Sequence, residues 1–391
     1  MDKKSLDRSR KLLGIVIACF WASEYAHVPY FTPYLKSLGF GASIIGIMTG
    51  TYGFTQMCVR IPLGIATDLT SGYRNVVIMG TVFTTVSSLG LIFAEVPWFI
   101  IFCRFLAGVA SSTWLAFSVL YSAYYDAGEG VKAMTNINIF NNIGKLVAYI
   151  LGIITATLFG YKYPLVISFL AGLAAIAFAL QLKSIPIKKE PISVANLLST
   201  FGNPGVLIPA AFAIVMQMIL QGTVFSFNSG VAELLGGSRL QIGFGTTLHT
   251  MVIVFGSNAL RKHFMQKFPE KYVISAGFLC LALACLFVGL GTNIWFVFLG
   301  QAVSGIGIAI LMSLLMALSI RTVPMERKST AMGLYQALYG IGMTIGPVCM
   351  GRLTDLNNYT FAYIIYAAVA FLAMLAALVL IPWMEKHAPA L

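Results

Sequence analysis

Charge is what this sequence has least of. Of 391 residues, 10% are charged and 59% are hydrophobic, and only 13 are acidic. A soluble domain carries about 25% charge, so the composition excludes that class and points to an all-α polytopic membrane protein. The six cysteines, Cys19, Cys58, Cys103, Cys280, Cys285 and Cys349, all fall inside apolar runs. They show neither metal-ligand spacing nor a disulfide framework, and read as packing residues. No phosphate-binding Gly-rich loop with its lysine is present, which argues against ATP drive within this chain. There is no His-Glu-x-x-His, no Gly-x-Ser-x-Gly elbow and no pair of acids at catalytic spacing, so an enzyme is not expected. Nothing calls for a cofactor or a metal.

What is present is apolar sequence in blocks. Runs of spanning length fall at roughly 12–36, 41–67, 74–94, 97–124, 133–160, 163–182, 204–229, 239–260, 272–290, 294–320, 330–353 and 360–383. Each meets the need for about 20 residues per membrane-spanning helix. The N-terminal stretch resembles a signal n-region, but its apolar run is too long and lacks a small-residue cleavage site, so a retained helix is expected. The net charge of +12 does not indicate nucleic acid, because position explains it. Eighteen of the 25 Lys and Arg lie in the N-tail, alternate loops and C-tail, four lie in the opposite loops, and three (Arg60, Arg104 and Lys145) lie inside spans. The positive-inside rule then places both termini in the cytoplasm. The expected partners are a lipid bilayer, a small-molecule solute and protons, with the chain acting as a monomer.

The longest polar break, around Lys183, Pro186, Lys188, Lys189 and Pro191, separates spans six and seven. The expected division is a six-helix bundle over 1–182, a cytoplasmic linker over 183–203 and a second six-helix bundle over 204–391. Ser193 to Phe201 is a candidate amphipathic surface helix, with an ordered loop the favoured reading. The halves align. Arg104-Phe-Leu-Ala-Gly108 matches Gln301-Ala-Val-Ser-Gly305 at an offset of 197, and Ile143-Gly144 matches Ile341-Gly342 at an offset of 198. Six-span repeats of this kind signify two pseudo-symmetric bundles.

After span two comes Gly64-Ile-Ala-Thr-Asp68-Leu-Thr-Ser-Gly72-Tyr-Arg74. A glycine, three residues, an aspartate, then a glycine and a basic residue resemble the loop hallmark of the major facilitator superfamily, and the likeness extends along the whole chain. Arg104 to Gly108 is also similar to that family's span-four pattern. The resemblance implies twelve helices in two bundles, alternating access, a cytoplasmic clasp at the loop and an arginine tied to proton movement. In physical terms, Gly64 permits close packing, Asp68 is placed to accept from a neighbouring helix N-terminus and Arg74 to pair with a nearby acid. Arg60 lies on the same stripe and is expected to be structural. The copy departs from the family at Leu69, where a basic residue is usual, and the second-half counterpart from Gly256 to Lys262 lacks the aspartate. Span eleven carries Gly340, Gly342, Gly346, Pro347 and Gly351, an interface helix. The Gly-Pro pair that marks span five of the family's drug–proton antiporters is replaced here by Ala148-Tyr149.

Glu24 is the one acid well inside a span. About twelve helical residues precede it, a rise of roughly 18 Å, which sets it near a bilayer midplane. Ionisable groups at that depth are functional by default, so Glu24 is a candidate for proton coupling, with His27 three residues on and Arg104 as helpers. Lys145 is equally deep, and two readings stand: an ion pair with Glu24, or a grip on an anionic solute. His27 is either a proton relay or a hydrogen-bonded core histidine. Tyr25, Asn141, Gln217, Gln221, His249, Gln301, Tyr335, Gln336 and Tyr339 are the candidate lining of an amphipathic cavity. The intramembrane charges, three basic against one acidic, lean toward a solute bearing an anionic group. The leading reading is a proton-coupled secondary transporter of a small organic solute working by alternating access. The alternative is efflux of drugs or amphipathic compounds by proton antiport.

Overall fold

A computed structural model describes residues 3–125, 129–185, 202–260, 267–323 and 328–387. All regular structure among them is helical: α1 (Lys3–Tyr25), α2 (Val28–Ser37), α3 (Ala42–Thr70), α4 (Tyr73–Phe93), α5 (Pro97–Ser112), α6 (Trp114–Ala123), α7 (Gly130–Phe159), α8 (Tyr163–Ala179), α9 (Pro204–Gly222), a π-helical turn (Thr223–Phe227), α10 (Asn228–Leu234), α11 (Arg239–Leu260), α12 (Glu270–Leu290), α13 (Ile294–Arg321), α14 (Lys328–Leu356) and α15 (Tyr359–His387). Every apolar run of the sequence is helical. Eight helical stretches among the described residues are long and apolar enough to cross a membrane, and α8 is apolar but shorter. The stretch from Ser193 to Phe201 and the basic pair Arg261 and Lys262 lie outside the described residues.

Three spans are interrupted. Span one breaks between Tyr25 and Val28. Pro29 has no N–H to give the preceding turn, and its ring disfavours helical backbone just before it. On an unbroken helix a three-residue spacing would set Glu24 and His27 on one face; here the helix ends first, and His27 stands in the break itself. Span four breaks at Thr113, whose hydroxyl turns back to the Ala110 carbonyl at 2.6 Å. Span seven contains the π-helical turn, a feature frequent at functional sites.

The residues fall into two compact units: Met1–Tyr30 with Cys58–Ile192, and Phe31–Met57 with Ser193–Leu391. A division at the linker puts residues 31–57 with the first half; by contact they group with the second. In the first unit α1 and α7 run parallel. A Cβ on Gly14 would meet the Phe140 ring, one on Gly144 the Ala18 carbonyl, and one on Gly152 would lie 2.6 Å from the Ala26 carbonyl oxygen. The main chains touch where these side chains are missing, which is how membrane helices associate. The core below is built from Phe20, Trp21, Phe117, Leu120, Tyr121 and Tyr124.

In the second unit the first part of α3 runs antiparallel to α14. Added Cβ atoms on Gly46, Gly50 and Gly53 would strike Pro347, Thr344 and Met343, and one on Gly351 would strike Ala42. The opposite side of α14 packs on α9, with Gly342 against Ile214 and Gly346 against Met218. Span eleven thus uses its small residues on two faces.

Candidate functional site

Polar groups gather in each unit. In the first, Glu24 is 5% exposed and approaches the end of α1. The Thr84 hydroxyl of α4 and the Arg104 charge both lie within electrostatic reach of its carboxylate. Its Oε1 has no hydrogen-bond partner among the described residues. Arg104, on α5, also reaches His27: Nη1 is 3.5 Å from His27 Nε2, while His27 Nδ1 is 3.0 Å from Ser168 Oγ on α8. All three side chains of that chain are buried.

Lys145 resolves one of the open readings. Its Nζ sits 4.4 Å from the Tyr25 ring centroid and 4.7 Å from that of Trp21. Glu24 and Lys145 do not form an ion pair. Ion pairs among the described residues include Arg10–Asp7, Lys132–Glu129 and Arg321–Glu270. The aromatic faces supply the negative ends of two ring quadrupoles where a carboxylate was one expectation. Tyr149, one turn on and fully buried, packs its ring 6.3 Å from Tyr25. Asn141, one turn before Lys145, has a buried Oδ1 without a partner among the described residues.

In the second unit His249 is fully buried, and its Nδ1 lies 3.2 Å from the Gln301 carbonyl oxygen. A carbonyl only accepts, so Nδ1 carries the proton and Nε2 keeps a lone pair in the neutral ring. That Nε2 has no partner among the described residues, and the same holds for Gln217 Oε1, Gln301 Oε1 and Tyr335 OH. Phe225, carried on the π-helical turn, sets its ring edge-on to His249 at 6.1 Å. Tyr335 and Tyr339 pack edge to face at 5.6 Å. Gln221 and Gln336 are half-buried. Gln301 and Arg104, which the sequence repeat aligns, each contact an imidazole.

The loop hallmark is assembled differently from its expected contacts. Asp68 accepts from the Tyr73 hydroxyl at 2.6 Å, within the loop's own turn. Among the described residues Arg74 meets no acid: Nε donates to the Leu182 carbonyl at 2.6 Å and Nη2 to that of Leu180 at 2.8 Å, capping the end of α8. Gly64 is a close approach, since a Cβ there would lie 3.1 Å from Leu115. Gly72 precedes α4 as its N-cap without a side-chain bond. Arg60 is buried.

Sequence reasoning passed over Ser168, Thr84, Trp21 and Asp355. The first three carry no signal, being common residues in apolar helices. Asp355 did carry one. Gly351-Arg-Leu-Thr-Asp355-Leu repeats the Gly64-Ile-Ala-Thr-Asp68-Leu pattern, and its carboxylate accepts from the Ala42 and Ser43 amides at the start of α3, at 3.1 and 2.8 Å.

The sequence matches the Major Facilitator Superfamily over residues 13–230 and 210–390. An MFS-type transporter of Methanocaldococcus jannaschii is 25% identical over 373 residues, covering 89% of this chain and 92% of the relative. The Escherichia coli inner membrane transport protein YajR is 26% identical over 345 residues, covering 85% and 74%. Among solved structures, the nucleoside transporter NupG superposes with a TM-score of 0.80 at 16% identity, covering 96% of this chain and 99% of that one. A POT family transporter bound to 5-aminolevulinic acid gives 0.79 at 15% identity, covering 97% of each chain. At these identities the structures share the fold with this chain.

Proposed function

The chain belongs to the Major Facilitator Superfamily and is a membrane transporter; on that premise we propose that it moves a small organic solute bearing an anionic group, coupled to protons, by alternating access. The observation that carries the solute class is Lys145. It is a cation midway along a spanning helix, boxed by Trp21 and Tyr25 with no acid paired to it among the described residues. Intramembrane charges pair with each other or face a polar cavity, and an anionic solute would complete the pairing. Glu24 supports the coupling, because a carboxyl that shares its surroundings with Arg104 has a charge worth moving only if something else moves with it. Both termini are taken as cytoplasmic from the distribution of Lys and Arg.

Thermal-shift screening of organic anions against organic cations tests the solute class. A ligand at a hundred times its Kd stabilises by about 2.7 kcal/mol. Stabilisation by anions that disappears in Lys145→Met supports the reading, and stabilisation by cations alone defeats it.

Efflux of amphipathic compounds is the second reading. The aromatic lining favours it, and a multidrug efflux pump of Staphylococcus aureus, SdrM, is 23% identical over 143 residues, covering 37% of this chain and 31% of that pump. The Ala148-Tyr149 pair in span five weighs against it.

A further inference from the structure

His27 has the appearance of a proton carrier, an imidazole between an arginine and a buried hydroxyl. Its hydrogen bonds say otherwise. A guanidinium has donors and no acceptor, so the atom facing Arg104 Nη1 at 3.5 Å, His27 Nε2, must be the acceptor. The ring proton is then on Nδ1, which donates to Ser168 Oγ at 3.0 Å. A second proton has no place to add at Nε2 without displacing Arg104. Ser168 is fully buried and His27 is 4% exposed.

The break in span one is what makes this possible. Between Tyr25 and Val28 the chain leaves the helix, and His27 projects from the break to touch span four and span six at once. We propose that His27 is a neutral, tautomer-fixed acceptor that positions Arg104, and that Ser168 is the positioning residue that sets the tautomer. His27 orients the guanidinium that lies within reach of Glu24 and takes no proton itself. The assignment rests on the coupling role given above to Glu24 and Arg104, and it narrows the proton-carrying groups near span one to the carboxyl.

The polar and charged groups around His27 come from several helices. Arg104 comes from α5 and Glu24 from its own helix. The α7 face opposite α1 brings Lys145, held at Trp21 and Tyr25. From α8 the facing group is the Ser168 hydroxyl, and α4 brings the Thr84 and Ser88 hydroxyls to the neighbouring Ser23.

The test is nitrogen NMR of the full chain, labelled with 15N-histidine and reconstituted in nanodiscs, with no solute needed. The chain has four histidines, and His27→Gln identifies the resonance. The expected result is a protonated Nδ1 and an unprotonated Nε2, unchanged between about pH 5 and 8, the range in which a free imidazole titrates. Ser168→Ala should convert that single tautomer to a mixture. In a second sample labelled with 15N-arginine, the Arg104 side-chain signals, assigned with Arg104→Lys, should hold in His27→Gln, whose amide oxygen still accepts, and move in His27→Leu. A proton on Nε2, a titration inside that range, or a tautomer indifferent to Ser168→Ala overturns the proposal. Because no transport is measured, such a result leaves the coupling role of Glu24 standing, whereas loss of that role in a transport assay leaves the tautomer assignment standing.

Discussion

The Asp355 carboxylate accepts the Ser43 amide hydrogen at 2.8 Å, 312 residues away in sequence. The aspartate closes α14 and the amide opens α3, so a negative group meets the positive end of a helix whose first N–H groups have no partners of their own. Because both belong to the unit made of Phe31–Met57 and Ser193–Leu391, this contact helps explain why the first part of span two is grouped with span eleven. Replacing Asp355 by Ala should cost about 1 kcal/mol, the usual worth of such a cap, and Asp355→Asn less. Chemical or thermal unfolding of the two variants measures it. Equal loss in both would place the effect in the charge and not in the acceptor.

The α3–α14 contact should be intolerant of bulk. A Cβ on Gly46 would collide with the Pro347 carbonyl, and one on Gly50 would sit 2.7 Å from the Thr344 carbonyl oxygen. These are backbone atoms, which cannot swing aside as a side-chain tip can. Gly46→Val should destabilise by about 1–3 kcal/mol, the range for overpacking. Gly333→Val, on the partner helix α14 and with nothing within 4 Å of an added Cβ, is the matched control and should not destabilise.

Lys145 gives a sharper discrimination. If it were the ion-pair partner of Glu24, removing it would leave a buried carboxylate alone and cost about 3–5 kcal/mol. With Trp21 and Tyr25 as its neighbours, Lys145→Met forfeits only a cation–π contact, about 0.5–2 kcal/mol, and removes an unpaired charge. The melting temperature should change little, while stabilisation by organic anions is lost. A large drop in stability would return Lys145 to an ion pair.

Arg74 should resist conservative replacement. Its two nitrogens reach two different carbonyls, Leu182 and Leu180, and a lysine ammonium has no fork to match that spacing. Arg74→Lys should lose most of the stability that Arg74→Leu loses, about 1 kcal/mol for the two capping bonds. Full rescue by lysine would show that charge alone matters at this loop.

The fold and its candidate site were legible in the sequence to different depths. The helices could be read because burying twelve apolar runs in lipid leaves the backbone no alternative, and the depth of Glu24 and Lys145 followed from helical rise. What each charge touches was not legible. Pairing Lys145 with Glu24 assumed that opposite charges at equal depth must meet. Trp21 and Tyr25 took that place because they stand one turn apart on the face of α1 that α7 approaches. Arg74 was matched to an acid by charge, while the nearest acceptors were the last carbonyls of α8, which no sequence pattern announces. Ser168 is one serine among many, and only the break at Pro29 brings His27 to it. Asp355 is the exception: its repeat of the Gly64–Asp68 pattern stood in the sequence to be read.

The central claim is that Glu24 couples solute movement to protons. It is tested most directly by solute accumulation in proteoliposomes with an imposed pH gradient, comparing the wild type with Glu24→Gln, a change that keeps the shape of the side chain. Gradient-driven accumulation should be abolished in the variant while the protein stays folded and still binds the solute. Accumulation by Glu24→Gln at the wild-type level under the same gradient would contradict it.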